Sequence, residues 1–446
     1  MHANIGSLPE AAAPIDRRQE RLISIPFLLL RAATAGGALA MGFVQTFVFA
    51  RVLSPERFSI FIVVGAIGYT LWLAELGLPS VLFVNLRAPH LARRRDEQAA
   101  HQATAVTLFY VAIAVTAALL CFIIALAQPA ATFTTAAELA LFLLSIALNL
   151  AWTSLRSISI AVDLFVFFES LDLIRRTVVV AAMLAVLAGL PLIAFLIVAN
   201  VLWAVLFAGA AGRLIGRGAL SPRWRGAPRQ LLAFFRTNPH AAARSSAGAL
   251  SNGLVVLFPY YVVPMMFGLG AAPIILEVTF RIFRGVCGIF GAICDLAVPG
   301  QTRALAARDS DRLVRTTLAA AALCCVPAAA ACGLLLFAGG PLFSYLLRSA
   351  ATVPHTVTPI LLVLLIASVP QIVSEALLQY TGYFRSLAYN AVAIAIGTVI
   401  ATSLTFFAGF GLIGFLATYA AAYAVGAVAM AIAAWRGPVL AARRHP

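Results

Sequence analysis

The chain has 446 residues, of which 63% are hydrophobic and only 11% are charged. Soluble globular proteins carry about 25% charged residues, so this composition excludes a soluble globular protein. Several apolar runs reach the length of a membrane-spanning helix, which also excludes the short alternating segments of a membrane β-barrel. The sequence therefore predicts an all-α polytopic membrane protein.

The net charge of +15 comes from arginine, because the sequence contains no lysine. These arginines lie mostly in short connections between apolar runs, so we interpret the charge as a topological signal and expect no nucleic-acid partner. The six cysteines lie within apolar runs, and the six histidines lie in loops or at the ends of runs. No spacing typical of metal ligands occurs, so neither a metal nor a bound cofactor is predicted.

Twelve apolar runs are long enough to cross a bilayer. The first is too long for the core of a signal peptide and follows a polar segment, so we expect it to remain as the first span. The predicted spans cover 24–50, 58–84, 104–127, 135–158, 172–190, 192–212, 242–268, 274–300, 316–338, 358–384, 388–408 and 412–435.

Arginine is distributed unequally between the two alternating sets of connections that these spans define. One set holds only Arg51, Arg57 and Arg348. The opposite set holds nearly all the others, and we assign Arg175 and Arg176 to it, at the start of the fifth span. Cytoplasmic connections are enriched in arginine, so we expect a multi-pass protein of the cell inner (cytoplasmic) membrane with both termini cytoplasmic.

The richest basic connection, 213–241, divides the spans into two groups of six. Both groups begin on the same side of the membrane, as two parallel repeats do. We therefore predict two six-helix lobes, the first covering residues 1–222 and the second 223–446. The segment 228–236 within this connection fits either a helix lying in the membrane interface, with its leucines and phenylalanines inward, or a solvated linker.

The eighth span, 274–300, carries a charged seam along one helical face. At about 100° per residue, six side chains fall within roughly 60° of arc. They are Glu277, Arg281, Arg284, Gly288, Gly291 and Asp295. The seam is about 27 Å long at ~1.5 Å per residue. Charges at this depth are costly in lipid, so we expect the seam to face protein or water.

Arginines that keep their charge at membrane depth are good partners for phosphate, which a guanidinium group binds through two parallel hydrogen bonds. We predict that Arg31 in the first span lines a cavity with Arg281 and Arg284, and that this cavity receives an anionic group. The alternative is that the charges pair and lock helices together. Glu277 and Arg281 have the i,i+4 spacing that such a pair requires.

Other polar side chains at membrane depth supply two further groups of candidates. The carboxylates that could bind a proton or a sodium ion, and so couple transport to an ion gradient, are Glu75, Glu277, Asp295 and Glu375. Side chains that could contact sugar rings, with helix packing as the alternative role, are Trp72, Tyr260, Tyr261 and Gln371. Glu75 is the one carboxylate that we predict at depth in the first lobe.

No Walker loop, GxSxG or HExxH motif occurs in the sequence. The connections between the spans are too short to hold a soluble catalytic domain. We therefore predict no catalytic residues, and the sequence favours a transporter over an enzyme.

The second span opens with Ala50, Arg51, Leu53, Pro55 and Phe58 and closes with Glu75, Leu76, Gly77, Leu78 and Arg87. This pattern resembles the polysaccharide-biosynthesis flippases, which translocate O-antigen and exopolysaccharide repeat units and belong to the MATE-like superfamily. Ser54 and Ser59 stand where that family usually has glycine, and Ser54 is predicted to cap the span. The segment 167–190 is similar to the fifth span of the family.

The resemblance implies two six-helix lobes in a V around a cavity that opens alternately to each side of the membrane. It also implies an undecaprenyl-diphosphate-linked oligosaccharide as substrate, moved to the outer leaflet, with polysaccharide polymerase or assembly machinery as a partner. Two alternatives remain from the sequence. One is a cation-coupled multidrug exporter of the same superfamily, and the other is a membrane-embedded glycan polymerase or ligase, for which the external connection 339–357 is short.

Overall fold

The computed structural model describes residues 25–75, 78–91, 94, 96–129, 132–237, 255–306, 309–348, 350–380 and 384–439. Nearly all of this part is helical, and it contains no β-strand. The helices before the basic connection are α1 (Ile25–Val52), α2 (Pro55–Thr70), α3 (Leu78–Leu91), α4 (Glu97–Leu126), α5 (Phe133–Ala161), α6 (Phe165–Leu187) and α7 (Leu192–Gly216). The helices that follow are α8 (Ala227–Thr237), α9 (Val255–Phe267), α10 (Ala271–Ala306), α11 (Ser310–Leu347), α12 (Val357–Tyr380), α13 (Phe384–Phe407) and α14 (Leu412–Ala434).

Each of the twelve predicted spans corresponds to a described helix, with α2 and α3 sharing the second span. Within the described residues, nine helices are long and apolar enough to cross a membrane by length and composition alone. α6 and α10 also have the length of a span, but charged side chains interrupt their apolar surfaces. The predicted all-α membrane architecture is therefore confirmed.

The helices pack as two lobes. In the first lobe α5 contacts α2, α3, α4 and α7, and α1 contacts α6. In the second lobe α10 packs on α11 and α12, and α14 packs on α12 and α13. The lobes meet where α1 contacts α10 and α11 and where α2 contacts α10. The larger apolar cluster crosses this junction, from Phe49 and Phe61 to Tyr260 and Phe280.

The second span begins as predicted. The Ser54 hydroxyl accepts a hydrogen bond from the backbone N–H of Arg57 at 3.3 Å, and Pro55 occupies the first helical position. Ser54 thereby satisfies one of the donors that a helix start leaves free, and proline removes another.

The second predicted span, 58–84, is not a single α-helix. α2 gives way to a short 3₁₀ segment, Leu71–Glu75, and α3 starts at Leu78. Pro79, in the first turn of α3, lacks the N–H group that a continuous helix would use. Irregular backbone at membrane depth needs a protein partner, and the Tyr110 hydroxyl donates to the Glu75 carbonyl at 2.6 Å.

The basic connection contains the short amphipathic helix α8, which packs on α4 of the first lobe. Phe234 is fully buried there, with Leu231 and Phe235 beside it in the second apolar cluster. Leu232 faces outward and is 52% exposed. Leu231, Phe234 and Phe235 of α8 therefore face the first lobe, and Leu232 faces away from it.

Candidate functional site

The charged seam of α10 converges on Glu277, whose side chain is only 5% exposed. Its Oε1 accepts hydrogen bonds from Nε and a terminal nitrogen of Arg281, the first at 2.6 Å. Its Oε2 accepts from the Tyr260 hydroxyl at 2.6 Å and from Arg284 at 3.2 Å. One buried carboxylate thus holds two arginines of its own helix and a tyrosine of α9.

Arg281 also links the two lobes. Its other terminal nitrogen donates to the Gly42 carbonyl at 2.6 Å and to Oε1 of Gln45 at 3.1 Å, both on α1. The i,i+4 pair with Glu277 that the sequence suggested is therefore present, and Arg281 uses most of its donors. This arginine fits a structural role at least as well as a ligand-binding one.

Arg284 is held more loosely. Its bond to Glu277 is long, and its Nε donates to the Phe280 carbonyl of its own helix at 3.3 Å. The guanidinium carbon lies 5.0 Å from the centre of the Tyr69 ring and 5.2 Å from that of the Tyr260 ring. The side chain is 24% exposed. The remaining N–H donors of its guanidinium group have no hydrogen-bond acceptor in the described part of the chain.

The cluster carries unbalanced charge. One carboxylate faces two guanidinium groups, which stay protonated in proteins. The excess positive charge lies at the junction of the lobes, because Tyr69 belongs to α2 and Tyr260 to α9. A buried charge of this kind attracts an anion or requires a counter-charge from elsewhere.

A small cavity adjoins this cluster between the lobes. Its lining includes Gln45, Phe61, Phe142, Tyr260 and Glu277. The cavity volume is about 20 Å³, which is room for roughly one water molecule. An oligosaccharide does not fit in it.

Several further contacts join the two lobes. Ser59 on α2 accepts from the Gly270 N–H at 3.0 Å and donates to its carbonyl at 2.8 Å. Thr70 and Tyr261 join their hydroxyl groups across the same junction. At the outer end of α1, the Arg51 guanidinium donates to carbonyls near the end of α11.

The space beside α10 differs between its glycines. A Cβ added at Gly285 would lie 2.1 Å from the Leu39 side chain of α1. Gly288 and Gly291 belong to the seam, and a Cβ at either position would meet nothing within 4 Å. These two positions of the seam therefore have room beside them for a larger side chain.

The other predicted site residues are only partly brought together. Tyr260 is 2% exposed and Tyr261 is hydrogen-bonded, so their hydroxyl groups are engaged within the protein. Gln371 is buried, and its Oε1 has no hydrogen-bond partner among the described residues. Glu375 follows one helical turn later and is half-buried. The side chains of Arg31, Trp72 and Asp295 lie outside what the structure describes.

Glu75 is not part of the α10 cluster. The 3₁₀ segment that it ends packs on α4 and α5 inside the first lobe. Its carboxylate has no hydrogen-bond partner within the described residues and is half-buried. It therefore forms a polar position separate from Glu277 and its arginines.

The sequence interpretation missed a second charged cluster, in α6. Oδ1 of Asp172 accepts from Arg175 at 2.7 Å and from the Trp152 indole at 3.2 Å, and Oδ2 accepts from Arg176 at 2.8 Å. The Arg175 guanidinium also lies 4.3 Å from the centre of the Trp203 ring.

The assignment of Arg175 and Arg176 to a cytoplasmic connection is therefore wrong. α6 begins at Phe165, so both arginines lie about 15 Å or more along the helix. Glu75 is likewise not the only carboxylate at depth in the first lobe, because Asp172 is there too. The i,i+3 and i,i+4 spacings from Asp172 were the available signal.

Comparison with known proteins defines the fold class. No protein-family model matches the sequence, and no curated protein is similar to it. Solved structures are similar over nearly the whole chain. One is the inward-facing conformation of a multidrug resistance MATE family transporter of the MOP superfamily, with a TM-score of 0.66, 14% identity, and coverage of 94% of this chain and 99% of that chain.

Two further structures extend the comparison. The outward-facing conformation of a multidrug resistance MATE family transporter gives a TM-score of 0.61 at 15% identity, covering 94% of this chain and 97% of that chain. A MOP superfamily transporter from Pyrococcus furiosus Vc1 (DSM3638), whose binding pocket is reported to have reverse polarity, gives 0.58 at 13% identity, covering 93% and 96%. The chain thus has the two-lobed fold of MATE transporters, as predicted.

Proposed function

We propose that this chain is a flippase of the cell inner membrane that moves an undecaprenyl-diphosphate-linked oligosaccharide to the outer leaflet by alternate opening of its lobes. The MATE fold supports the transporter class. The observation that carries the choice of substrate is Arg284, a partly exposed guanidinium with unused donors at the junction of the lobes.

The diphosphate would bind Arg284 first, because its bond to Glu277 is long and its fork is partly free. A phosphate group offers the paired oxygens that a guanidinium fork binds best. The sugars would then lie along the open part of the seam, next to Gly288 and Gly291, while the lipid tail stays in the bilayer. Arg31, on the same face of α1 as Gly42, would supply a second cation.

Glu277 is the coupling candidate with the most direct access to this site. Its carboxylate competes with the substrate for Arg281 and Arg284. Binding a proton would remove its negative charge and release both arginines for the diphosphate. The remaining coupling candidates, Glu75, Asp295 and Glu375, would bind a proton or a sodium ion away from the arginines of α10.

A cation-coupled multidrug exporter is the second candidate, and Glu75 favours it. This carboxylate is half-buried in the first lobe and has no partner in the described structure, so it is suited to attract a cationic drug. The other first-lobe carboxylates at depth are neutralised, Asp172 by Arg175 and Arg176. The arginine excess at the junction of the lobes makes an anionic substrate the better fit.

Reconstitution tests the proposal. Purified protein in vesicles would receive a fluorescent undecaprenyl-diphosphate oligosaccharide, with outward exposure of the sugar measured by an external glycosidase. We expect Arg284→Gln to slow translocation at least tenfold without preventing insertion. Arg312→Gln, which removes an exposed arginine at the start of α11, is the matched control and should translocate normally.

Two outcomes would contradict the proposal. Full activity of the glutamine variants of Arg31, Arg281 and Arg284 would show that these arginines do not bind the substrate. Uptake of an organic cation dye, with no movement of the lipid-linked sugar, would identify an exporter instead. Polysaccharide assembly machinery remains the expected recipient of the product.

A further inference from the structure

The connection between the lobes carries an unusual concentration of positive charge. The segment 213–237 contains no aspartate or glutamate. Its arginines, all exposed and without an ion pair in the described structure, are Arg213, Arg217, Arg223, Arg225, Arg229 and Arg236. An unpaired basic cluster next to a membrane helix is the usual signature of binding to an anionic lipid surface.

The structure fixes the orientation of this cluster. Phe234 anchors the inner face of α8 on the first lobe and is fully buried. Just before α8, the Ser221 N–H donates to the Thr104 hydroxyl of α4 at 2.8 Å, which ties the connection to that helix. With its inner face occupied, α8 has only its basic outer face free for a partner.

The outer face is amphiphilic. Arg229, Leu232 and Arg236 follow at spacings of three and four residues and so lie on one side of α8. Leu232 is 52% exposed, and Trp224 before the helix is 67% exposed. Tryptophan is enriched at the level of lipid headgroups, where one part of the ring is apolar and another is hydrated. Apolar side chains among arginines match a headgroup layer.

The level of this face also matches the membrane surface. It follows α7, a span that ends at Gly216, by only ten residues. The contact with Thr104 lies where the apolar part of α4 begins. The outer face of α8 is therefore at the boundary between lipid and water on the side to which the arginine distribution assigns the cytoplasm.

We propose that anionic phospholipid headgroups of the cytoplasmic leaflet bind the outer face of α8, through Arg225, Arg229 and Arg236, with Leu232 and Trp224 inserted among the acyl chains. This site is independent of the proposed substrate and of the transport direction. It fastens the connection between the lobes to the membrane on the first-lobe side, so that the second lobe moves relative to an anchored partner.

Lipid titration of the full chain tests this site. Protein in a neutral detergent would be titrated with phosphatidylglycerol, and bound lipids would be counted by native mass spectrometry. We expect Arg225→Gln/Arg229→Gln/Arg236→Gln to lower the apparent affinity for phosphatidylglycerol at least fivefold. The matched control, Arg312→Gln/Arg315→Gln/Arg436→Gln, removes three exposed arginines from the second lobe and should change the affinity less than twofold.

The other results are equally decisive. Equal losses in both triple variants would show a general charge effect and no site on α8. Equal binding of neutral phosphatidylcholine would show that the site does not select an anionic headgroup. Displacement of the lipid by inorganic diphosphate at equal concentration would show that the site binds a free anion and not a lipid. An acidic polypeptide that displaces the lipid from the wild type but not from the control would identify a protein partner instead.

Discussion

At the scale of single residues, Glu277 has two opposing effects. It neutralises much of the charge of Arg281 and Arg284, and it occupies the donors that an anionic substrate needs. Breaking a buried ion pair from one side costs about 3–5 kcal/mol of stability. Replacing Glu277 would also remove the carboxylate that competes with an anionic substrate for Arg281 and Arg284.

We expect Glu277→Gln to lower the thermal unfolding midpoint and to raise the affinity for the diphosphate-linked lipid about tenfold, which is ~1.4 kcal/mol. Binding of the lipid to detergent-solubilised protein, followed by tryptophan fluorescence, would measure the second effect. A less stable variant with no gain in affinity would show that the cluster is a structural lock. That result would leave the proposed substrate without its main support.

The adjacent tyrosines of α9 separate packing within a lobe from contact between lobes. The Tyr260 hydroxyl is buried and donates to Glu277, whereas the Tyr261 hydroxyl bonds to Thr70 in the other lobe. We expect Tyr260→Phe to lower stability by about 1–3 kcal/mol, because a buried carboxylate loses a donor. Tyr261→Phe should change stability less and alter transport instead. Denaturation and vesicle assays on both variants would show whether the two effects separate.

At the scale of elements, one glycine of α10 lies in its contact with α1. A side chain at Gly285 would overlap a terminal methyl group of Leu39, so Leu39 would have to move to make room for it. Gly288, three residues along the same helix, faces open space and serves as the control. We expect Gly285→Val to lower the unfolding midpoint by several degrees. Gly288→Val should stay near wild type, since an open site tolerates the same change within about 0.5 kcal/mol beyond helix propensity. Equal decreases in the unfolding midpoint of both variants would mean that Gly288 is packed as tightly as Gly285.

The twelve spans could be predicted because a bilayer requires long apolar helices wherever the chain crosses it. The seam of α10 could be predicted for a related reason, since its charges are expensive unless they share a face. The start of α6 could not be found by the same rule. Asp172 neutralises Arg175 and Arg176 inside the lobe. The charges that were expected to lie in the connection before the fifth span therefore belong to the helix itself. Pro79 is a local signal for the break in the second span, but its tertiary partner, Tyr110, cannot be found from a local pattern.

The division of labour between Arg281 and Arg284 also lay beyond sequence analysis. Both occupy one stripe of α10, and both lie within reach of Glu277. The structure distinguishes them through α1, whose Gly42 carbonyl and Gln45 amide engage Arg281 alone. Which helix of the other lobe faces a given turn is a property of long-range packing. A helical periodicity carries no information about it.

At the scale of the whole molecule, alternate opening requires that contacts on the outer side break as those on the inner side form. The Arg51 guanidinium donates to the Tyr345 carbonyl at 2.7 Å and to the Leu346 carbonyl at 3.2 Å, at the end of α11. It also stacks on Phe47, 3.4 Å from the ring centre. Arg51 thus fastens the first lobe to the last turn of α11, where free carbonyls attract a cation.

Arg57 offers a matched comparison, because it lies at the same end of the first lobe but pairs with Glu138 of α5, inside that lobe. A cysteine replacing Gln45, which lines the enclosed cavity, would report opening toward the outside through its reaction with a membrane-impermeant thiol reagent. We expect Arg51→Gln to increase the labelling rate severalfold, since it removes a contact that joins the two lobes at the predicted outer end. Arg57→Gln should leave the rate unchanged, although it removes the same charge from the same surface. If both changes raise the labelling rate equally, surface charge controls the access of the reagent to the cysteine. If neither change raises it, closure depends on the packing of α1 against α10, and Arg51 only caps the end of α11.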